Sequence, residues 1–130
     1  MSVRVQVASL LVGVVGGAAG TVIGSPLWMS PEMISDGLCD TPVDVWSLGI
    51  CAIEMAELWP PHASMDPTIR AMWRIVNGPP PSLKASATRA WSNDFHAFVG
   101  SCLRKRPQQR AQVRALVRVR LRVRVRVRVR

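Results

Sequence analysis

The segment 41–58 constrains the fold more than any other part of the chain. Its beginning is typical of a helix, with Thr41 as the N-cap, Pro42 in the first turn and Asp44 three residues after the cap. A Trp-Pro-Pro sequence ends it. Apolar residues lie on nearly every face of this predicted helix, and such a helix is buried in the middle of a domain. The sequence therefore predicts a helical domain built around this segment.

Further helices are predicted downstream of this central one. The second opens at Asp66-Pro67 and ends near Asn77-Gly78, and the third has Ser92 as its cap, with apolar residues along one side. A fourth begins near Gln108 and runs toward Leu116. No convincing strand appears before the tail. The predicted fold class is mainly α.

The two ends of the chain differ in composition from residues 21–117. Residues 1–20 are rich in Gly, Ala and Val, and their apolar composition resembles that of a signal peptide or a membrane span. Four glycines lie between positions 13 and 20 and lower the helix propensity, so we predict neither targeting nor a membrane span there. Residues 118–130 alternate Arg with Val or Leu in the manner of a low-complexity repeat. We predict disordered or irregular termini.

The net charge of +9 belongs mostly to that tail. Residues 1–113 carry nine Lys or Arg against eight Asp or Glu, whereas residues 114–130 carry eight Arg and no acid. The body is therefore nearly neutral, and it lacks the basic surface of a specific nucleic-acid-binding domain. The tail predicts non-specific, salt-dependent binding of polyanions.

The cysteines and histidines form no recognisable site. Cys39, Cys51 and Cys102 are odd in number and make no Cys-x-x-Cys pair, which argues against a disulfide framework and against a zinc site. Reduced thiols are typical of a cytoplasmic protein. His62 and His96 have no nucleophile or second ligand at a known spacing, so we expect surface or partly buried histidines.

Three short motifs carry a family resemblance. Residues 24–32 read Gly-Ser-Pro-Leu-Trp-Met-Ser-Pro-Glu, residues 44–49 read Asp-Val-Trp-Ser-Leu-Gly, and residues 106–110 read Arg-Pro-Gln-Gln-Arg. In this order they resemble the end of the activation segment and the following helices of serine/threonine protein kinases, most closely the sterile-twenty-like (germinal-centre kinase) group. The resemblance covers about 21–117 and implies part of the large, C-terminal lobe of a kinase domain.

The resemblance implies roles for residues near the activation segment. Thr21 corresponds to the activating phosphothreonine of these kinases and is the candidate regulatory phosphosite. Ser25 corresponds to the threonine that faces the catalytic aspartate. Leu27 and Trp28 correspond to the loop that faces the protein substrate.

The resemblance also implies a structural scaffold. Glu32 corresponds to the glutamate of the Ala-Pro-Glu motif, which pairs with an arginine that corresponds to Arg110. Asp44 and Trp46 correspond to scaffold residues of the central helix. None of these residues is catalytic in the family, so the resemblance implies no catalytic residue and no metal ligand in this chain.

The family binds ATP and Mg²⁺ through motifs that precede the activation segment. The twenty residues before Thr21 contain no Gly-rich phosphate loop, no His-Arg-Asp motif and no Asp-Phe-Gly motif. We therefore expect no cofactor in this chain, although ATP and Mg²⁺ are implied for the intact family domain. We also expect these 130 residues not to transfer phosphate as they stand.

Two alternatives to a kinase fragment remain open at this point. The first is a non-catalytic, pseudokinase-type interaction module that presents residues 67–77 and 25–32 to a protein partner. The second is a cationic peptide whose Arg tail binds polyanions or membranes. The predicted partner is a protein substrate or another protein, without a specific nucleic acid, and the predicted location is cytoplasmic.

Overall fold

The computed structural model describes residues 26–38, 40–66, 68–84 and 90–116. The helices of these ranges are α1 (Pro31–Asp36), α2 (Thr41–Glu57), α3 (Thr68–Asn77), α4 (Asn93–Cys102) and α5 (Val113–Leu116). Short 3-10 turns at Pro26–Trp28 and Pro107–Gln109 precede α1 and α5. The described ranges contain no strand. The predicted mainly α fold is confirmed.

The long helix α2 is the centre of the helical body. Its buried residues include Trp46, Ile50 and Ile53, each at most 1% exposed, and it packs against α4. Ile75 of α3 and Leu83 complete the same core cluster. Burying one such aliphatic side chain contributes about 1.5–3 kcal/mol. The position of α2 agrees with its largely apolar sequence, because a helix without a continuous polar face is stable only when surrounded.

The burial of α2 is nevertheless incomplete on one side. Leu48 is 43% exposed and Met55 is 59% exposed, although both are as apolar as their buried neighbours. Positions 48 and 55 lie two turns apart and therefore share a face of the helix. The described residues leave this face of α2 open to solvent.

The caps of α2 differ from the predicted ones by one residue. Asp40 is the N-cap, and its carboxylate accepts a hydrogen bond of 2.7 Å from the backbone N–H of Thr41. The prediction of Thr41 as the cap was wrong because two adjacent residues can both cap, and the aspartate occupies the extended conformation. At the other end Leu58 takes a φ of 70°. Its N–H donates to the carbonyl of Glu54, which ends the helix.

The third helix of the sequence prediction is found as α4. Ser92 is its N-cap, and the hydroxyl accepts a hydrogen bond of 3.2 Å from the N–H of Phe95. Phe95, Phe98 and Val99 face the core. Here the local cap and the apolar spacing agree, so the prediction is accurate.

The predicted helix from Gln108 toward Leu116 was wrong. The chain forms a 3-10 turn at Pro107–Gln109, becomes extended at Arg110 with φ −71° and ψ 153°, and resumes a helix only at α5. The extended residue directs its side chain into the body, where it meets partners that are distant in sequence. Those contacts, which no local pattern reveals, interrupt the helix.

Gly49 permits the close approach of α2 to the end of α4. A Cβ atom at this position would lie 2.7 Å from Cδ2 of Leu103 and 2.8 Å from Cβ of Cys102. We expect Gly49→Ala to destabilise the fold by about 1–3 kcal/mol because both neighbours are buried and cannot move freely. This cost exceeds the gain of about 1 kcal/mol in helix propensity.

Urea unfolding measures this effect, and Gly100→Ala in α4 is the matched control. A Cβ atom at Gly100 would meet nothing within 4 Å, so only the gain in helix propensity remains there. Equal effects of the two substitutions would contradict the close packing at Gly49.

None of the helices in the described ranges is both long enough and apolar enough to cross a membrane. The N-terminal segment 1–20 and the tail 118–130 lie outside these ranges.

Candidate functional site

The helix α1 comes directly after residues 26–30, which we call the motif loop. Residues at both of its ends mark where this helix begins and stops. Ser30 is the N-cap and is fully buried, with Pro31 in the first turn. Gly37 ends the helix with a φ of 67°, a conformation that glycine adopts without strain. These signals were present in the sequence, but the sequence reasoning did not use them to predict a helix. A six-residue helix needs tertiary contacts to persist, and Glu32 supplies one.

Glu32 and Arg110 form a buried, two-point ion pair. Nη2 of Arg110 donates to Oε2 of Glu32 at 2.6 Å, and Nη1 donates to Oε1. The side chains of the arginine and the glutamate are 1% and 9% exposed. Two parallel bonds between a guanidinium and a carboxylate are among the strongest hydrogen bonds in proteins. The pair joins α1 to a segment 78 residues further along the chain.

Arg110 also bonds to three backbone carbonyls. Its Nε donates to Arg104 at 2.8 Å, its Nη1 to Pro42 at 2.9 Å and its Nη2 to Lys105 at 3.3 Å. Its guanidinium carbon lies 5.1 Å from the ring centroid of Trp46, within the range of a cation–π contact. The side chain therefore ties α1, the beginning of α2 and the loop before α5 to one point.

The pKa of Glu32 reflects this environment. Burial raises the pKa of the carboxyl, but the hydrogen bonds from Arg110, from the backbone and from Ser30, together with the positive charge of Arg110, lower it more, so it lies below the ordinary value of 4.5. The carboxylate is therefore charged throughout the neutral range.

The loop before α1 is fixed onto α2. Nε1 of Trp28 donates to Oε2 of Glu54 at 2.9 Å, and the hydroxyl of Ser47 donates to the carbonyl of Trp28 at 2.9 Å. The indole also packs against the core cluster and is partly buried. Leu27 beside it is half-buried. Two turns of α2 thus hold both the side chain and the backbone of the loop in place.

We expect Trp28→Phe to reduce the free energy of unfolding by about 1–2 kcal/mol, because Glu54 loses a charged hydrogen bond while the aromatic ring remains. Urea unfolding followed by circular dichroism measures the change. Trp59→Phe is the matched control, since Trp59 is 71% exposed. An unchanged stability of Trp28→Phe would show that the indole bond contributes nothing.

The other described residues to which the resemblance gives a role take no part in the hydrogen bonds that hold α1 and the loop before it. Asp44 lies in the first turn of α2 and is exposed. Trp46 is fully buried, and its Nε1 has no hydrogen-bond partner within the described residues. Thr21 and Ser25 lie outside the described residues, so their predicted roles remain predictions.

Three polar side chains that matter here were not singled out as sites from the sequence. Glu54 and Ser47 hold the loop. Nζ of Lys105 donates to the carbonyls of Ile75 and, at 2.9 Å, of Val76, and so caps the end of α3. Burial and the charge of nearby Arg110 lower the pKa of this lysine. The only local signal was a lysine in a loop, which predicts an exposed side chain.

His62 occupies an unusual environment in the middle of the loop that joins α2 to α3. Its Nε2 is buried without a hydrogen-bond partner in the described structure, and its φ is 66°. Burial lowers the pKa of His62 below its ordinary value of 6.5, and three positive charges act in the same direction: Arg74, Lys84 and Lys105.

The folded state therefore favours the neutral imidazole of His62. Because the unfolded chain binds the proton more readily, stability should fall as the pH drops through about 6.5. We expect a lower free energy of unfolding at acidic than at neutral pH. His62→Asn, which tolerates a positive φ, should reduce this dependence, whereas the exposed His96→Asn should retain it. Urea unfolding at a series of pH values above and below about 6.5 measures this dependence. If the free energy of unfolding of His62→Asn varied with pH as much as that of the unaltered chain, the assignment of the effect to His62 would be wrong.

The described residues offer no ligand set for Mg²⁺. No three His, Cys, Asp or Glu side chains of the described ranges are grouped so that they could hold a metal ion. Cys51 and Cys102 are free and buried, and burial, followed by the charge of Glu54, raises the pKa of the Cys51 thiol to about 11. These thiols are poor nucleophiles. The site built here is a scaffold that positions a loop.

Comparison with known proteins identifies this scaffold. The family described as protein kinase domain matches residues 10–121. The serine/threonine-protein kinase cst-1 of Caenorhabditis elegans is 49% identical over 90 residues, and that of Caenorhabditis briggsae is 48% identical over the same length. These residues are 69% of this chain and 18% of each relative, so the chain corresponds to a small part of the relatives' length. The predicted resemblance to serine/threonine kinases is confirmed, and the chain belongs to the protein kinase family.

Proposed function

We propose that residues 26–116 form the part of a serine/threonine kinase domain that anchors the end of the activation segment and presents its loop to a protein substrate. The intact domain would transfer phosphate from ATP, with Mg²⁺, to a serine or threonine of that substrate. ATP and Mg²⁺ belong to the proposal for the whole domain.

The observation that carries this proposal is the double anchoring of the motif loop. The Arg110 guanidinium holds α1 immediately after the loop, and Glu54 with Ser47 holds Trp28 within it. A loop that must orient a substrate peptide needs such fixed supports, because a displacement of about 1 Å can greatly reduce the rate of reaction. The geometry supports a positioning role for the loop.

Roles for four residues are part of the proposal. Leu27 and Trp28 would face the substrate residue next to the acceptor hydroxyl, and Ser25 would face the catalytic aspartate of the intact domain. Phosphorylation of Thr21 would regulate the segment by adding about two negative charges. A cytoplasmic setting, in which the buried thiols stay reduced, is also proposed.

A chimeric kinase tests whether this region supports phosphoryl transfer when it is part of an intact kinase domain. The 90-residue stretch of the C. elegans relative would be replaced by the matching stretch of this chain. Phosphorylation of myelin basic protein would then be followed with labelled ATP. We expect clear activity on serine or threonine. We also expect its loss in Arg110→Met and its retention in His96→Gln, which alters an exposed position of α4.

Two outcomes of the chimera experiment would count against the proposal. A chimera that is folded but inactive would show that this region does not support phosphoryl transfer. Full activity of Arg110→Met would show that the anchoring of the loop is unnecessary. The isolated 130-residue polypeptide is expected to be inactive in the same assay, since it carries neither His-Arg-Asp nor Asp-Phe-Gly.

A further inference from the structure

We propose that the exposed side of α3 is a docking groove for an acidic, partly apolar segment of another protein. This function is separate from phosphoryl transfer and does not require it. The groove is open, has a volume of about 600 Å³, and is lined by Met65, Ile69, Arg70, Trp73 and Arg74.

The apolar part of the groove is unusually exposed. Ile69 is 65% exposed, Trp73 is 63% exposed and Met65 is 37% exposed. These residues lie on one side of α3 or just before it, whereas the opposite side buries Ala71 and Ile75 in the body. Solvent-facing tryptophan and aliphatic side chains that line one concavity are typical of protein-binding surfaces. Tryptophan and arginine are among the residues enriched at the positions that dominate the binding energy of an interface.

The charge of the groove specifies the partner. Arg70 and Arg74 are four residues apart on one helix, where two like charges repel each other. Among the described residues, no acidic side chain lines the groove, and α3 itself contains none, although Asp66 lies just before the helix. The contact of Arg70 with the backbone carbonyl of Asp66 is long, at 3.5 Å. A carboxylate from outside, placed between the two guanidinium groups, would relieve the repulsion and make charged hydrogen bonds.

The same charges argue against other occupants. The tail 118–130 carries only Arg as its charged residue, so the arginines of the groove would repel it. Two copies of the chain that met groove to groove would bring Arg70 and Arg74 of each copy against those of the other. A nucleic acid would match the charge, and its bases could stack on Trp73, but it would leave the aliphatic side chains of Met65 and Ile69 without an apolar partner. An acidic peptide with an aromatic or aliphatic anchor fits both features.

A random 12-residue peptide library displayed on phage tests the proposal with the full chain. The library is first depleted on the Trp73→Ala/Arg74→Glu variant, which keeps the same Arg tail, and is then selected on the unaltered chain. Both positions are exposed, so equal thermal midpoints will confirm that the variant folds. We expect enriched peptides that combine Asp or Glu with an aromatic or aliphatic residue.

Binding of the enriched peptides then separates the apolar and charged contributions. We expect Trp73→Ala to weaken binding by about tenfold or more, and Leu38→Ala, at an exposed apolar position outside the groove, to leave it unchanged. A peptide with Lys in place of its acids should prefer Arg70→Glu/Arg74→Glu over the unaltered chain. That reversal is expected only if the groove arginines contact the acids.

Several results would overturn the proposal. These are the absence of any enrichment, enriched peptides without acidic residues, and binding that is indifferent to Trp73→Ala. Competition by a single-stranded oligonucleotide that is equally strong for the unaltered chain and Trp73→Ala would indicate a polyanion surface instead. A dimer in sedimentation analysis that Trp73→Ala dissociates would assign the groove to self-association.

Discussion

Replacing Arg110 by Met is expected to reduce the free energy of unfolding by about 3–5 kcal/mol, because the buried carboxylate of Glu32 is left charged and unpaired. The substitution also removes the hydrogen-bond donor of three backbone carbonyls, those of Pro42, Arg104 and Lys105. Since small domains have a stability of about 5–15 kcal/mol in total, this single change removes a large fraction of it. Urea unfolding monitored by circular dichroism measures the loss.

The double variant Glu32→Leu/Arg110→Met separates the pair from the other contacts of the arginine. With both charges removed, no unpaired charge is buried, so the double variant should be more stable than Arg110→Met alone. Arg106→Met, at an exposed arginine of the same loop, controls for the loss of a positive charge. A loss below about 1 kcal/mol in Arg110→Met, the size typical of an exposed pair, would contradict a structural role for the ion pair.

Trp46→Ala is expected to cost about 3–5 kcal/mol, the range for truncating a fully buried aromatic residue. Trp46 is completely buried in α2 and belongs to the core cluster, so its removal leaves a cavity at the centre of the body. The change also removes the ring that lies 5.1 Å from the guanidinium of Arg110. We expect a loss of cooperativity in thermal unfolding as well as a lower midpoint.

Trp59→Ala is the matched control for this truncation. Trp59 is 71% exposed and follows α2 directly, so its removal should change stability little. If Trp46→Ala unfolded with the same midpoint as the unaltered chain, the assignment of Trp46 to the centre of the core would be wrong.

The parts of the fold that follow from local sequence signals were predicted well. The central helix α2 and the helix α4 each combine a cap residue with apolar residues that match their surroundings. The error at the start of α2 is one residue, since Asp40 and Thr41 can both cap and only the backbone conformation decides between them. Such signals act within one or two turns, and for that reason they can be read without a structure.

The misjudged region is the one governed by distant contacts. The helix expected from Gln108 to Leu116 is interrupted because Arg110 turns inward to Glu32, 78 residues away. Lys105 is partly buried for a similar reason, since its ammonium group caps α3 about 30 residues upstream. Neither the helix propensity of residues 103–116 nor the spacing of their apolar residues indicates these distant contacts.

The candidate site could be predicted in part. The resemblance named both partners of the ion pair, Glu32 and Arg110, and the structure places them in direct contact. It did not identify the indole bond of Trp28 to Glu54, since glutamate in the middle of a helix is common and its partner is 26 residues away. The sequence predicted α3 as a helix at 67–77, and one alternative presented it to a protein partner, but the groove itself was not visible. Its open apolar face depends on which side of the helix packs, and the three-dimensional structure determines that.

The loop and the groove occupy different parts of one helical body, yet they share a support. The helix α3 contacts both α1 and the Pro26–Trp28 turn. Lys105, which caps the end of α3, also offers its backbone carbonyl to Arg110. A disturbance at Arg110 is therefore expected to loosen α3 as well as α1, while substitutions confined to the exposed groove leave the ion pair intact.

Native-state hydrogen exchange of the α1 amides is the most direct test of whether Arg110 anchors α1 and the loop before it. The exchange of residues 32–36, since Pro31 has no amide hydrogen, would be compared with that of α2 and α4. The comparison is made in the unaltered chain and in Arg110→Lys, which keeps the charge but not the two-point geometry. We predict that protection is lost in α1 first and to a greater extent than in α4. Equal protection of α1 in both proteins would show that the buried pair does not hold α1, and would contradict the anchoring role that we propose for it.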